Sequence, residues 1–170
     1  RMMADRLPEL LVASSCSKNF GLYRERTGSI TLVADSAEQA KIVSAQSMSI
    51  ARQIYSMPPA HGALLVSLIL GDDQLRANWQ AELEEVRLRI KAMRTLLTDG
   101  INDNAAGMDF SHIKQQQGMF SFLGITSDQL NRLRDEFAIY IVGSTRVNLA
   151  GINSNNIEYL TQSIRTVLDS

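Results

Sequence analysis

Chemistry in this sequence begins with Lys18. A lysine amine attacks a carbonyl carbon once it has lost its proton, and nearby positive charge and loss of water both favour the neutral form. The stretch Ser14-Ser15-Cys16-Ser17-Lys18-Asn19-Phe20-Gly21-Leu22-Tyr23-Arg24-Glu25-Arg26-Thr27-Gly28 sets Lys18, Arg24 and Arg26 within nine positions, among small hydroxyl residues and two glycines. A lysine amine and a guanidinium on one loop suit an anionic, phosphate-bearing ligand. By residue type alone a single lysine is a solvated surface group, so the weight falls on the string itself.

That string, Ser-x-x-Lys-Asn-Phe-Gly-Leu-Tyr-x-Glu-Arg-x-Gly from Ser15 to Gly28, resembles the cofactor-lysine segment of the pyridoxal-phosphate aminotransferases of the aspartate and aromatic amino-acid group. The resemblance implies that Lys18 forms the Schiff base with pyridoxal 5'-phosphate and shuttles the substrate's α-proton. It implies that Ser15, Ser17 and Arg26 hold the cofactor phosphate or its surroundings. Gly143-Ser144-Thr145-Arg146-Val147-Asn148-Leu149-Ala150-Gly151 resembles the family segment that grips the substrate α-carboxylate, with Arg146 as the gripping residue; a planar guanidinium binds a carboxylate through two hydrogen bonds. Arg52, ahead of Tyr55-Ser56-Met57-Pro58-Pro59, matches the arginine that reaches the side-chain carboxylate of a dicarboxylic substrate in the neighbouring subunit. Phe120, in Gln117-Gly118-Met119-Phe120-Ser121-Phe122, matches a pocket-lining aromatic. Two departures fall beside substrate positions: Met57 stands where the family has Asn or Ser, and Thr145 where it has Gly. They leave the preference between aspartate and aromatic substrates open.

The remaining candidates are weaker. His61 and His112 lack metal-ligand spacing with cysteine or acidic partners, so no metal site is expected; His61 reads as a helix start and His112 as a surface residue. Cys16, Tyr23 and Trp79 read as packing residues. The single cysteine cannot close an internal disulfide, which points to a reducing, cytoplasmic setting. A net charge of −1 over 170 residues gives no broad nucleic-acid or membrane surface. The longest apolar run, Gly62 to Leu70, is too short to span a bilayer.

Elements must position these residues. Leu10-Leu11-Val12-Ala13 and Ser29 to Ala34 read as strands flanking the lysine loop, the second buried. Ser36 with Gln39 has the form of a capping box, opening a helix to about Ile54 with Val43, Ile50 and Ile54 on one side. Pro58-Pro59 ends it, and an apolar, buried helix follows from Ala60 to Leu70. From Asp72 onward Leu75, Trp79, Leu83, Val86, Ile90, Met93 and Leu97 recur at spacings of three and four, with acids early and bases late, Arg94 among them. This predicts a helix of about 26 residues, spanning roughly 39 Å, stopped at Gly100. Ile101 to Asp109 reads as a loop. Strands are expected at Gly118 to Leu123, Ile139 to Val142 and Arg146 to Ala150. Helices are expected after the cap Thr126-Ser127-Asp128-Gln129 and over Ile157, Leu160, Ile164 and Val167.

Together these predict an α/β chain. Residues 1–71 would be part of a cofactor-binding large domain of the type I pyridoxal-phosphate fold, 72–99 a linking helix, and 100–170 a small α+β domain. The chain begins at Arg1 and matches the C-terminal part of the family, so it is expected to be a segment of a longer enzyme and not competent alone. The expected activity moves an amino group between aspartate, glutamate or an aromatic amino acid and a 2-oxo acid, in a homodimer with shared active sites. The alternatives are a non-catalytic structural or dimerisation segment, and a lyase of the same fold; the pair Arg146 and Arg52 favours transamination of a dicarboxylate.

Overall fold

A computed structural model describes residues 2–103 and 108–169. Among the described residues the protein is helix-rich with two small sheets, consistent with part of an α/β fold. It folds as two units, Arg1–Ala81 and Glu82–Ser170.

In the first unit β1 (Leu10–Ser15) pairs antiparallel with β2 (Gly28–Val33), Ser15 opposite Gly28 and Leu10 opposite Val33. Gly28 has no room for a side chain: a Cβ there would lie 2.3 Å from the Ser14 carbonyl oxygen. The α1 helix (Ala37–Tyr55) starts where expected, with the Ser36 hydroxyl accepting from the Gln39 N–H at 3.2 Å. It is followed by α2 (His61–Gly71). The expected burial is not found. β2 is largely exposed, and Ile54 of α1 and Leu64 of α2 are 72% and 65% exposed. Patterning reports which face is apolar; it cannot report whether this chain supplies a layer to cover it.

The α3 helix (Asp73–Asn102) runs two residues past Gly100. Gly100 is a packing glycine, not a stop, because a Cβ there would come within 2.7 Å of Thr161 Cγ2. The expected loop over 101–109 falls partly outside the described residues; Ile101 and Asn102 remain helical. A short α4 (His112–Gln115) follows, unforeseen in the sequence, and His112 is exposed. The β3 strand (Phe120–Phe122) pairs antiparallel with β4 (Arg146–Asn148). Between them lies α5 (Ser127–Phe137), opened by a complete capping box of Thr126 and Gln129. After β4, Leu149–Gly151 forms a 3-10 turn in place of further strand, and α6 (Ile157–Leu168) closes the chain.

The strand expected at Ile139 to Val142 is absent. The alternation that suggested it is real: Ile139 and Ile141 pack on the core while Tyr140 is 81% exposed. The segment pairs with no strand, and it leaves α5 through Ala138 at φ 51°. The second unit owns the core, with Leu97 and Ile101 of α3 packed among Phe110, Ile113, Leu133 and Ile164. Each such side chain contributes about 1.5–3 kcal/mol by leaving water. No helix among the described residues is long and apolar enough to cross a membrane.

Candidate functional site

The lysine loop closes on itself at the end of the β1–β2 hairpin. One residue past the ladder the Cys16 N–H donates to the Thr27 carbonyl at 3.0 Å, so the two limbs of the loop stay together. The carbonyl of Cys16 then accepts from the N–H groups of Phe20 at 3.3 Å and Leu22 at 3.4 Å, folding residues 16–22 into a compact turn through Gly21 at φ 68°. Ser15 and Ser17 face each other. The Ser15 hydroxyl donates to Ser17 Oγ at 3.0 Å and accepts from the Ser17 N–H at 3.2 Å. Ser17 is buried, and Lys18 beside it is exposed, its Nζ 4.7 Å from the centre of the Tyr23 ring.

Arg26, on the other limb, has φ 52°, an uncommon conformation for a residue with a Cβ. Its Nη1 donates to the Tyr23 carbonyl at 3.1 Å. Because a guanidinium carries five N–H donors, this bond leaves others for an anion.

Two helices of the same unit hold the loop from outside. The start of α2 lies against its second limb: a Cβ on Gly62 would be 2.0 Å from Thr27 Oγ1 and 2.6 Å from Glu25 Cβ, and His61 Nδ1 is 3.0 Å from Glu25 Oε2. Trp79, on the first turns of α3, stacks on Phe20 with ring centres 4.5 Å apart and planes 8° apart, and its Nε1–H donates to the Asn19 carbonyl at 2.8 Å. Both contacts touch the residues directly after Lys18. Trp79 is thus more than the packing residue its stripe position suggests; spacing locates the ring but not its N–H. Arg52 sits exposed in the last turn of α1. Among the described residues no hydrogen bond or ring contact joins it to the loop.

The second unit brings Arg146 and Phe120 together. In the β3–β4 ladder Phe120 lies opposite Asn148 and Phe122 opposite Arg146, so Phe120 and Arg146 are diagonal neighbours on one face. The Arg146 guanidinium carbon is 4.5 Å from the Phe120 ring centre, within the range of a cation–π contact. Both line an open pocket of about 400 Å³, with Tyr140, Asn148 and Tyr159. The opposite face of the ladder, Ser121 and Val147, is buried.

Thr145 explains its own departure from the expected glycine. Its φ is 61°, a region where glycine is at ease and a β-branched residue is strained. The side chain adds a bond that glycine could not make, Thr145 Oγ1 accepting from the Gly124 N–H at 3.1 Å, beside the backbone bond from the Leu123 N–H to the Thr145 carbonyl at 3.1 Å. Under the ladder lies a residue that the sequence reading counted only among the late bases of α3. Arg94 is buried, and its guanidinium donates to Gly118 O, Ser121 Oγ and Ile113 O. A signal was there, since position 94 lies four residues after Ile90 and three before Leu97, in register with the apolar stripe. No cluster of His, Cys, Asp and Glu that could hold a metal occurs among the described residues.

The family model "Aminotransferase class I and II" matches residues 1–164. The chain is 52% identical over 168 residues to the aspartate aminotransferase of Haemophilus influenzae, covering 99% of this chain and 42% of that protein. It is 44% identical over 167 residues to the aromatic-amino-acid aminotransferase of Pseudomonas aeruginosa, covering 98% and 42%. Among solved structures, the aromatic-amino-acid aminotransferase from Burkholderia pseudomallei covalently bound to pyridoxal phosphate superposes with a TM-score of 0.88 at 42% identity, covering 98% of this chain and 41% of that one. The chain therefore spans about 42% of the length of the curated relatives it matches.

Proposed function

The chain belongs to the class I and II aminotransferase family, and on that premise we propose that the complete protein, of its relatives' length, moves an amino group between aspartate, glutamate or an aromatic amino acid and a 2-oxo acid, with pyridoxal phosphate as cofactor. The observation that carries this reading is the closed Lys18 loop. Its two limbs, tied by the Cys16–Thr27 hydrogen bond, bear the Ser15 and Ser17 hydroxyls on one side and Arg26 on the other. Hydroxyls and a guanidinium with free donors form a set that fits a phosphate, and a solvent-facing amine next to them fits a covalent anchor. When bound, pyridoxal phosphate supplies the electron sink that makes the substrate's α-C–H acidic.

The chain's own residues then divide the work. Lys18 Nζ anchors the cofactor and, once freed, takes and returns the α-proton. Ser15, Ser17 and Arg26 fix the phosphate. Arg146 takes the α-carboxylate with its planar fork, resting on Phe120, which lines the substrate pocket. Arg52 takes the distal carboxylate of a dicarboxylic substrate in the other subunit of a homodimer. Residues 1–71 belong to a large cofactor domain of the type I pyridoxal-phosphate fold, 72–99 to a linking helix and 100–170 to a small α+β domain, in an enzyme working in the cytoplasm.

The test is chemical. The cofactor-loaded complete protein is reduced with borohydride and digested, and the labelled peptide is identified by mass spectrometry. The label is expected on Lys18; a label on any other lysine overturns the reading.

A further inference from the structure

Arg94 is 3% exposed on a helix whose other charges face solvent. Among the described residues no carboxylate pairs with it, and burial holds its guanidinium below the usual arginine range. A buried charge without a counter-ion is costly unless hydrogen bonds replace its water. Here Nη2 donates to Gly118 O at 2.6 Å, and Nη1 to Ser121 Oγ at 2.6 Å and Ile113 O at 3.1 Å. Ile113 belongs to α4, Gly118 stands two residues before β3 and Ser121 lies within it, so Gly118 and Ser121 bracket Phe120.

That strand needs an outside anchor. β3 has three residues and one partner strand, and an isolated two-stranded ribbon is marginal in water. Gly118 enters it at φ 85°. Successive side chains of a strand point to opposite faces, so with Ser121 drawn inward to Arg94, Phe120 must face outward. There its ring meets Arg146. Two arginines thus act on the two faces of one short strand, the inner through hydrogen bonds and the outer through a ring.

We propose that Arg94 is the positioning residue for Arg146: by pinning Gly118 O and Ser121 Oγ it fixes β3 and the Phe120 ring, and through that ring the guanidinium that receives the substrate carboxylate. This rests on the assignment of Arg146 made above. The planar fork is what the task requires, because one guanidinium reaches three acceptors in directions that a lysine ammonium on a single stem cannot match.

The experiment compares Arg94→Lys, Ser121→Ala, Arg146→Ala and the double variant Arg94→Lys/Arg146→Ala in the complete, cofactor-loaded protein. The dissociation constant of maleate, a dicarboxylate probe, is measured by calorimetric titration, alongside KM and kcat for aspartate, the visible spectrum of the cofactor, and thermal unfolding. Arg94→Lys is expected to weaken maleate about tenfold, since small misplacements of a binding group are costly. Ser121→Ala, which removes one hydrogen bond of three, should weaken it about threefold. In both variants KM should rise more than kcat falls, and the cofactor spectrum should be unchanged. With Arg146 absent, Arg94→Lys should change maleate affinity no further. Affinity lost in Arg146→Ala but kept in both Arg94→Lys and Ser121→Ala overturns the positioning role alone, whatever happens to the melting temperature. A full additive loss in the double variant overturns it too. Unchanged affinity in Arg146→Ala overturns the assignment of Arg146, and the proposal with it. If Arg94→Lys does not fold, Ser121→Ala with Ser121→Ala/Arg146→Ala carries the same comparison.

Discussion

The two units of this chain support chemistry in different ways. In Glu82–Ser170 the Arg146–Phe120 pair stands on a ladder whose inner face is sealed into a core of leucine, isoleucine, valine and phenylalanine. In Arg1–Ala81 the only described residues that are buried are Ser17 and Gly62, both at the lysine loop or its support. The loop keeps its shape through its own hydrogen bonds, a stacked ring pair and a close glycine contact. Meanwhile Leu11, Ile50, Ile54, Leu64 and Leu68 face outward. A leucine left in water forgoes about 1.5–3 kcal/mol. The Lys18 loop is thus locally well defined on a scaffold that buries little, whereas the Arg146–Phe120 pair is as firm as the core beneath it.

The sharpest way to break this comparison is at Lys18. If the first unit exists to present that amine, Lys18→Ala in the complete protein should abolish covalent attachment of the cofactor and lower aspartate transamination at least roughly a thousandfold, the scale seen when a covalent catalytic residue is lost. Thermal unfolding of the second unit should be unaffected. Borohydride labelling, steady-state rates and circular dichroism measure the three parts. Residual activity near that of the parent would mean the loop is architecture and not chemistry.

How far the sequence carried is visible in the same two regions. The loop that carries Lys18 and the strand that starts at Arg146 were legible, because the residues around them run apolar or alternate. So were the cap at Ser36 and the capping box at Thr126, where a local hydrogen bond decides. What was not legible depends on distant parts of the chain. The alternation at Ile139 to Val142 looks like a strand until one asks what it pairs with. Gly100 looks like a helix stop until Thr161, 61 positions later, fills the space. Arg94 looks like one more of the late bases of α3 until Gly118 and Ser121 close over it. The largely apolar α2 reads as buried, because composition cannot show whether the covering layer lies in this chain.

A second prediction asks what covers the exposed apolar faces of the first unit. Arg52 stands on one of those helices, α1. If a second copy packs there and receives Arg52 into its site, Lys18→Ala and Arg52→Ala proteins should complement each other. Each alone is nearly inactive on aspartate. Reassociated at equal amounts, half the dimers are mixed, and each of those holds one intact site, so about a quarter of parental activity should return. Mixed dimers that form without recovered activity would place Arg52 in its own chain's site or in none.

The third prediction concerns the packing that distinguishes the second unit. An alanine at position 100 gains up to about 1 kcal/mol of helix propensity over glycine. Its Cβ would nevertheless meet Thr161 Cγ2 at 2.7 Å and Thr161 Cβ at 3.0 Å. Overpacking of this kind costs about 1–3 kcal/mol, so Gly100→Ala should be net destabilising, by about 1 kcal/mol, in urea unfolding followed at the core. Thr161→Ser removes the nearest methyl while keeping the hydroxyl that donates to Glu158 O. The double variant should then recover part of the loss. A stabilised Gly100→Ala would show that α6 yields easily, and that the core is looser than its burial suggests.

The smallest expected effect returns to the first unit and separates the two contacts of Trp79. Trp79→Phe keeps a ring to stack on Phe20 and loses the donor to Asn19 O; Trp79→Ala loses both. A neutral hydrogen bond contributes about 0.5–1.5 kcal/mol net, and an aromatic pair about as much beyond its buried area. These sums are small against global stability but large for a loop with few other supports. The place to read them is local: exchange of the Phe20 and Leu22 amide hydrogens, both bonded to the Cys16 carbonyl. Opening of the turn should become easier by about 1 kcal/mol in Trp79→Phe and about 2 kcal/mol in Trp79→Ala, while amides of the second unit's core keep their protection. If instead both variants leave Phe20 and Leu22 protected, the turn is held by its own backbone bonds alone, and α3 does not support the lysine loop. If core amides of the second unit lose protection in step, the two units unfold as one cooperative body, and the contrast between them concerns burial and not stability.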